Sequence, residues 1–112
     1  IYTSIPNAET NPIGFASVHK ATEAALKETG LPTTFLRNNW YWENLTGSLA
    51  GFVEHGAIIG SVGEGRIAYA TRADYAAAAA VVATTEGHEG KVYELTGDRA
   101  YSYAEIAAEV SR

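Results

Sequence analysis

Short β-rich segments alternate with helical segments along this chain, and that alternation constrains the fold more than any other feature. Residues 2–5 and 33–37 are rich in aromatic and β-branched side chains, as buried strands are. Between them, residues recur at a helical spacing that predicts one buried helix face, and Gly30 followed by Pro32 ends that helix. The positions of this face are Phe15, Val18, Thr22, Ala25 and Leu26.

The middle of the chain has weaker signals. Residues 40–55 carry apolar side chains at helical spacing, despite two internal glycines that lower helix propensity. Residues 57–62 and 66–70 are β-rich and flank Gly63-Glu64-Gly65, which predicts a hairpin or tight loop.

The last third returns to the alternation. Thr71 begins a helix and has Asp74 at the capping-box spacing, and residues 91–95 form a strand. Ser102, with Glu105 three positions later, caps a final helix. Helices and strands alternating at these intervals predict an α/β fold with a largely parallel sheet.

Ligands of such sheets bind beyond the carboxyl ends of the strands. This rule selects two loops: the one after residues 2–5, and the one that begins with Asn38 and Asn39. Amide side chains both donate and accept hydrogen bonds, which matches a carboxamide such as that of nicotinamide, and aromatic rings offer a flat wall. In the alternative interpretation, Trp40 and Tyr41 fill the core and the asparagines cap a helix.

Among the polar residues of the first helix, His19 is the one whose side chain is most able to take part in a reaction or bind a ligand. Histidine titrates near neutrality in its ordinary state, and it can also hold a ribose hydroxyl. Glu23 lies four residues later on the same helix face, so the two side chains can interact. The alternative is a solvated helix face stabilised by this pair.

Composition excludes several functions. Thirteen acidic and eight basic residues give a net charge of −5 with no basic run, which argues against nucleic-acid and anionic-membrane partners. There is no cysteine and the three histidines are scattered, so no metal site is predicted. No segment approaches the length of a membrane span, and we expect a cytoplasmic protein.

Four segments, in this order and spacing, carry a family resemblance. They are residues 2–4, 19–26, 29–38 and 41–44. The chain resembles the NmrA-like branch of the atypical short-chain dehydrogenases/reductases, and within it the bacterial NAD(P)H:quinone oxidoreductases. The resemblance extends over essentially the whole chain.

The resemblance implies a partial Rossmann-like NAD(P)-binding fold, its C-terminal portion, with part of a smaller C-terminal α/β substrate region. Residues 1–39 would be the last part of the Rossmann core and residues 40–112 mainly the substrate-side region. The chain would begin at the fifth Rossmann strand, and the glycine-rich phosphate loop would lie upstream. As such a fragment, it is expected to bind NADPH poorly on its own.

The resemblance also implies reduction of a quinone by hydride from NAD(P)H, with NADPH favoured over NADH and no flavin or metal. His19 takes the place of the conserved lysine, and Phe15 that of the catalytic tyrosine, so His19 is the candidate catalytic residue. Candidate cofactor-binding residues are Thr3, Ser4, His19, Asn38, Asn39, Trp40, Tyr41, Trp42 and Glu43. The alternatives are a non-catalytic NAD(P)-binding redox sensor of the NmrA type and a reductase or epimerase with another substrate. A homodimer is a further expectation.

Overall fold

The computed structural model describes all residues, 1–112, and contains three strands and five helices. In chain order they are β1 (Tyr2–Ser4), α1 (Ala16–Glu28), β2 (Phe35–Asn38), α2 (Trp42–Thr46), α3 (Leu49–His55), α4 (Arg72–Thr84), β3 (Val92–Leu95) and α5 (Tyr103–Val110). None of the helices is both long enough and apolar enough to cross a membrane.

The three strands form one parallel sheet in the order β1-β2-β3. The central strand β2 is buried, and Phe35 and Leu36 are almost completely shielded from solvent. Its position was evident from the β-branched and aromatic residues at positions 33–35, which favour strands. The predicted α/β fold with a parallel sheet is confirmed.

The chain divides into two compact units. The first contains residues 1–39 and 73–95, and the second contains residues 40–72 and 96–112. This division differs from the predicted boundary after residue 39, because β3 pairs with β2 in the same sheet and therefore belongs to the first unit.

The predicted buried face of α1 is wrong in part: Thr22 and Leu26 are half-buried, but the other three positions are exposed. Phe15 and Val18 are 53% and 63% exposed, whereas Ala16 and Glu23 are buried. The helix turns its Glu23 side toward the sheet in place of the predicted apolar face, because the Glu23 carboxylate bonds to a buried guanidinium of the sheet. A buried charge needs a paired and hydrogen-bonded partner, and here that requirement outweighs the burial of two apolar side chains.

The predicted helix over residues 40–55 is two shorter helices, α2 and α3, separated at Gly47 and Ser48. Tyr41 is extended rather than helical, because the backbone at this point pairs with Ala70. Glycine has a low helix propensity, which favours the break at Gly47.

Of the two alternatives predicted for residues 57–70, the tight loop is confirmed and the hairpin is wrong. Gly65 N–H donates to the Val62 carbonyl at 2.8 Å and closes a turn. The flanking segments do not pair with each other: Ala70 pairs with Tyr41 in parallel, and Ile67 with Tyr101 in antiparallel orientation. Both partners are distant in sequence. The β-rich composition therefore indicated strand-like pairing at Ile67 and Ala70, but with distant partners instead of with each other.

The capping box at α5 is confirmed. Glu105 N–H donates to Ser102 Oγ at 3.2 Å, and Ser102 N–H donates to Glu105 Oε2 at 2.8 Å. These bonds satisfy backbone donors that the first helical turn leaves without partners.

Replacing Ser102 with alanine is expected to lower the free energy of unfolding by about 1 kcal/mol, since the Glu105 N–H loses its acceptor. The midpoint of urea unfolding measures this change. Ser111→Ala is the matched control, because the Ser111 hydroxyl bonds to the Ala107 carbonyl at the other end of α5 in an exposed position. An equal effect of the two substitutions would contradict the capping role.

Candidate functional site

An ion cluster occupies the carboxyl edge of the sheet in the first unit. Ser4, Arg37 and Glu94 lie side by side in the register of the three strands. The Arg37 side chain is only 7% exposed, and it donates to Glu23 through Nε at 2.9 Å and through Nη2 at 2.6 Å. Arg37 also donates to Glu9 at 2.6 Å and to Glu94 at 3.0 Å. One guanidinium thus joins a loop, a helix and two strands.

The pKa values of the cluster favour its charged form. Burial of the Glu23 carboxyl opposes ionisation, but the hydrogen bonds from Arg37 outweigh this cost and hold its pKa below the usual 4.5. The hydrogen bond from Arg37 also lowers the pKa of Glu9. In return, the hydrogen bond to Glu23 is the main cause that raises the pKa of the Arg37 guanidinium.

This cluster positions the neighbouring elements and does not itself offer a reactive group. Arg37 bonds to three carboxylates, and the Glu94 carboxylate additionally accepts from the Asn7 backbone N–H at 3.3 Å. The loop that follows β1 is thereby fastened at the edge where sheets of this class bind ligands. The sequence interpretation missed the structural role of Arg37. The signal that could have revealed it is a basic residue, Arg37, in a buried strand that follows a helix carrying the acidic residue Glu23.

Lowering the pH from about 5 to about 2 is expected to reduce the free energy of unfolding. The folded-state pKa values of Glu9 and Glu23 lie below the unfolded value, so in this window the unfolded chain binds more protons and gains stability relative to the folded one. Denaturant titrations at a series of pH values measure the slope.

The variant Glu23→Gln should have a shallower slope, because one of the shifted carboxyls is gone. Glu64→Gln, at an exposed turn residue, is the control and should follow the wild type. Glu105 contributes to the remaining slope, because hydrogen bonding to the Ser102 backbone lowers its pKa to about 2. Identical slopes for wild type and Glu23→Gln would contradict the linkage.

The predicted catalytic residue His19 lies on α1 and is half-buried. Its Nδ1 atom is hydrogen-bonded to the Tyr2 hydroxyl at 2.9 Å. The Tyr2 ring lies 5.9 Å from the imidazole, and the Phe15 ring meets it edge-on at 6.4 Å. The predicted interaction of His19 with Glu23 is not formed, since the Glu23 carboxylate faces Arg37.

The other predicted residues of the first unit lie along the strand ends. Thr3 is exposed on β1, and Ser4 is buried beside the Glu23 carboxyl. Asn38 ends β2, and the Asn39 backbone N–H donates to the Leu95 carbonyl at 2.9 Å. Alternation along β2 puts Asn38 on the sheet face opposite Arg37. The strand-end asparagines therefore lie at the edge that the sequence indicated.

Residues 40–43 belong to the second unit, where their backbone pairs with Ala70. Trp42 N–H donates to the Ala70 carbonyl at 3.0 Å, and Ala70 N–H donates to the Trp40 carbonyl at 3.2 Å. The Arg72 guanidinium lies 5.9 Å from the centre of the Tyr41 ring. Both Glu43 carboxylate oxygens accept from the Arg72 backbone N–H, at 3.0 and 3.1 Å. Glu43 thus caps the start of α4.

Trp42 lies in the core of the second unit. Its ring stacks on Tyr69 at 4.6 Å and meets Tyr101 edge-on at 5.3 Å. Leu45, Tyr69 and Ile106 are the buried centre of this cluster. Burial, together with the neighbouring Tyr103, raises the pKa of the Tyr69 hydroxyl to about 12. The core-filling alternative named Trp40 and Tyr41, whereas Trp42 is the residue that packs in this core and Trp40 is 40% exposed.

The fold is that of NAD(P)-binding Rossmann-like reductases, as comparison with solved structures shows. The crystal structure of Escherichia coli NADPH-dependent quinone oxidoreductase 2 complexed with NADPH superposes with a TM-score of 0.91 at 50% identity, over 98% of this chain and 39% of that one. Citrobacter sp. triphenylmethane reductase complexed with NADP(H) superposes with a TM-score of 0.90 at 40% identity, over 98% of this chain and 39% of that one.

The chain is a close homologue of one segment of Escherichia coli quinone oxidoreductase 2, with 52% identity over 111 residues, or 99% of this chain. The predicted resemblance to bacterial quinone oxidoreductases is thus confirmed. The chain spans 39% of the length of that relative. No protein-family model matches the chain. The 112 residues contain no group of three or more acidic, histidine or cysteine side chains arranged to hold a metal ion.

Proposed function

We propose that this chain forms part of an NADPH-dependent quinone reductase. The observation that carries the proposal is 52% identity, along 99% of the chain, to a quinone oxidoreductase. The superposition on a quinone oxidoreductase that was crystallised with NADPH supports both the reaction and the cofactor.

The chemistry of the strand ends fits a nicotinamide. Asn38, half-buried at the end of the central strand, can donate to a carboxamide oxygen and accept from its nitrogen. Ser4 lies at the end of the neighbouring strand, and His19 on the helix that packs beside it. Within the first unit, we assign the nicotinamide end to Thr3, Ser4, His19, Asn38 and Asn39. Trp40, Tyr41, Trp42 and Glu43, in the second unit, stay predicted cofactor residues, and we assign the substrate-side role mainly to residues 40–72 and 96–112.

The residue at position 15 favours quinone reduction over alcohol chemistry. When bound, NADPH supplies a hydride. Phe15 has no proton to donate or accept, so oxidation of an alcohol lacks the acid–base group it requires. A quinone accepts hydride at its ring and needs only one proton on the resulting oxyanion. His19 is the residue that we assign to that proton.

A steady-state assay tests the proposal on the intact protein. NADPH oxidation is followed at saturating cofactor with 1,4-benzoquinone as acceptor, and NADPH binding is measured separately by fluorescence. Quinone-dependent turnover well above the rate without enzyme is the expected result. If the protein binds NADPH but turnover does not exceed the rate without enzyme, the reductase proposal is overturned and the redox-sensor alternative is favoured.

Asn38→Ala is expected to lower kcat/KM for NADPH by about 10-fold, because the variant loses one hydrogen bond between uncharged groups in the binding site. Asn44→Ala is the matched control, since Asn44 is exposed in the same asparagine-rich segment. Thermal midpoints of all three proteins are recorded. Normal kinetics of the folded Asn38→Ala variant together with a lowered midpoint would show that Asn38 acts in folding only.

Two further assignments extend the proposal. We propose a homodimer, which light scattering on the purified protein would test. We also propose a cytoplasmic location, as the sequence predicted. A monomer at micromolar concentration would contradict the first and leave the reductase assignment intact.

A further inference from the structure

The hydrogen bond between Tyr2 and His19 joins β1 to α1 at a distance of 2.9 Å. The imidazole is held from two sides by aromatic rings, those of Tyr2 and Phe15. Tyr2 itself is fixed by an edge-on contact with Phe35 of the buried central strand, with ring centres 6.4 Å apart. His19 therefore has a defined orientation.

The direction of this hydrogen bond fixes the tautomer of neutral His19. A phenol is a stronger acid than the N–H group of a neutral imidazole, so the Tyr2 hydroxyl donates and Nδ1 accepts. The proton of the ring then lies on Nε2, which forms no hydrogen bond within the chain. Since His19 is half-buried rather than enclosed, Nε2 is able to meet a ligand.

The charged groups nearest along α1 are engaged elsewhere. Glu23 bonds to Arg37, and Lys20 Nζ donates to the Glu9 backbone carbonyl at 3.2 Å. On the sheet side, Tyr2 is the titratable group that contacts the imidazole. His19 thus has one proton-bearing partner, the Tyr2 hydroxyl.

We propose that Tyr2 and His19 form a two-residue proton relay that delivers a proton to the reduced quinone. This inference rests on the proposed function, in which His19 lies at the nicotinamide end. His19 is the residue that would touch the substrate, and Tyr2 acts through it as a positioning and proton-supplying residue.

The relay balances atoms and charge. When bound, NADPH would supply the hydride, and its addition to the quinone would leave an electron pair, and so a negative charge, on one quinone oxygen. That oxyanion takes the Nε2 proton of His19 while the Tyr2 O–H proton passes to Nδ1, so His19 remains neutral in its other tautomer. Tyr2 is left as a phenolate and regains a proton from water. A hydroquinone is itself a phenol, so the transfer between the two oxygens is close to balanced.

The test compares Tyr2→Phe with Tyr93→Phe. Tyr93 forms a second tyrosine–histidine pair, in which its hydroxyl lies 2.7 Å from His88 Nδ1 and the ring centres are 5.7 Å apart. With a methyl-substituted benzoquinone, Tyr2→Phe should lower kcat by about 100-fold, at the lower end of what acid–base groups contribute. The KM for NADPH should change little, and Tyr93→Phe should match the wild type.

Two readouts separate a relay from a structural role. A chloro-substituted benzoquinone gives a more acidic hydroquinone that needs a donor less, so the loss in Tyr2→Phe should shrink with it. His19→Gln and the double variant Tyr2→Phe/His19→Gln should both lose about as much as Tyr2→Phe, because the two residues act as one unit. Equal losses with both quinones, or additive losses, would overturn the relay.

The outcomes also distinguish the two proposals. A wild type without quinone turnover would overturn the proposed reductase and the relay together. An active wild type with normal kinetics in Tyr2→Phe would overturn the relay alone. Nitrogen-15 NMR of the wild type provides a measurement that needs no variant: neutral His19 protonated on Nδ1 would overturn the relay.

Discussion

Replacing Arg37 with methionine is expected to lower the free energy of unfolding by about 3–5 kcal/mol, the largest stability effect expected in the first unit. Methionine retains the apolar stem and removes the guanidinium. The Glu23 carboxylate, whose side chain is 4% exposed, is then left buried without its two hydrogen bonds. Most of the loss is the cost of that uncompensated charge rather than the net value of the ion pair.

Removing the Glu23 carboxylate from the Arg37→Met variant should restore much of the lost stability. In the double variant Arg37→Met/Glu23→Leu, two apolar side chains of similar volume face each other, and such replacements of a buried pair are often close to neutral. Glu9 and Glu94 are about half exposed, so water can solvate them once the guanidinium is gone. Urea unfolding of the two single variants and the double variant gives the coupling energy.

An exposed ion pair provides the matched control. Arg66 bonds to Glu105 at 2.6 Å, but the side chains are 50% and 36% exposed. Arg66→Met should therefore cost about 1 kcal/mol or less. If Arg37→Met and Arg66→Met cost the same, the buried cluster does not hold the carboxyl edge of the sheet together.

The parts of the fold that the sequence predicted are those set by local periodicity. The three strands, α1, α4 and the capped α5 were all evident, because alternating, helical and capping patterns act over a few residues. The parallel sheet followed from their alternation. The hairpin over residues 57–70 was mispredicted because Ala70 and Ile67 pair with residues far along the chain, Tyr41 and Tyr101, and no local pattern encodes those partners.

The face of α1 shows a different limit of sequence analysis. Hydrophobic spacing selected Phe15 and Val18 as buried, yet Ala16 and Glu23 are the residues that pack inward. The deciding interaction is the bond from Arg37 to Glu23, 14 residues apart in sequence. In the sequence, the members of a buried ion pair are two separate polar residues, so their burial cannot be predicted without the fold.

The position of the candidate site could be predicted from topology, because the rule for parallel sheets selects the carboxyl edge, where Ser4 and Asn38 end their strands. That these two residues bind a ligand stays a prediction. The Tyr2 hydroxyl was not singled out, because its contact with His19 depends on how α1 packs on β1. The family resemblance placed Trp42 and Glu43 among the cofactor residues, and the sequence did not show that Glu43 caps the start of α4 or that Trp42 stacks on Tyr69.

Replacing Trp42 with alanine is expected to lower the free energy of unfolding by about 3 kcal/mol, as for other large aromatic residues removed from a core. The indole contacts the rings of Tyr69 and Tyr101, and its removal leaves a cavity beside them. Trp42→Phe should cost about half as much, because a smaller ring still stacks on Tyr69. Trp40→Ala is the control, since Trp40 is 40% exposed and does not belong to that cluster.

Kinetics measured per folded molecule decide which role Trp42 has. If Trp42 fills the core, Trp42→Phe keeps the wild-type KM for NADPH and for quinone while its unfolding midpoint falls. If instead the indole forms a wall of the cofactor site, Trp42→Phe raises the KM for NADPH with little change in the midpoint. The stacking on Tyr69 at 4.6 Å favours the first outcome, because a ring already engaged by two others in the core has little surface to offer a ligand.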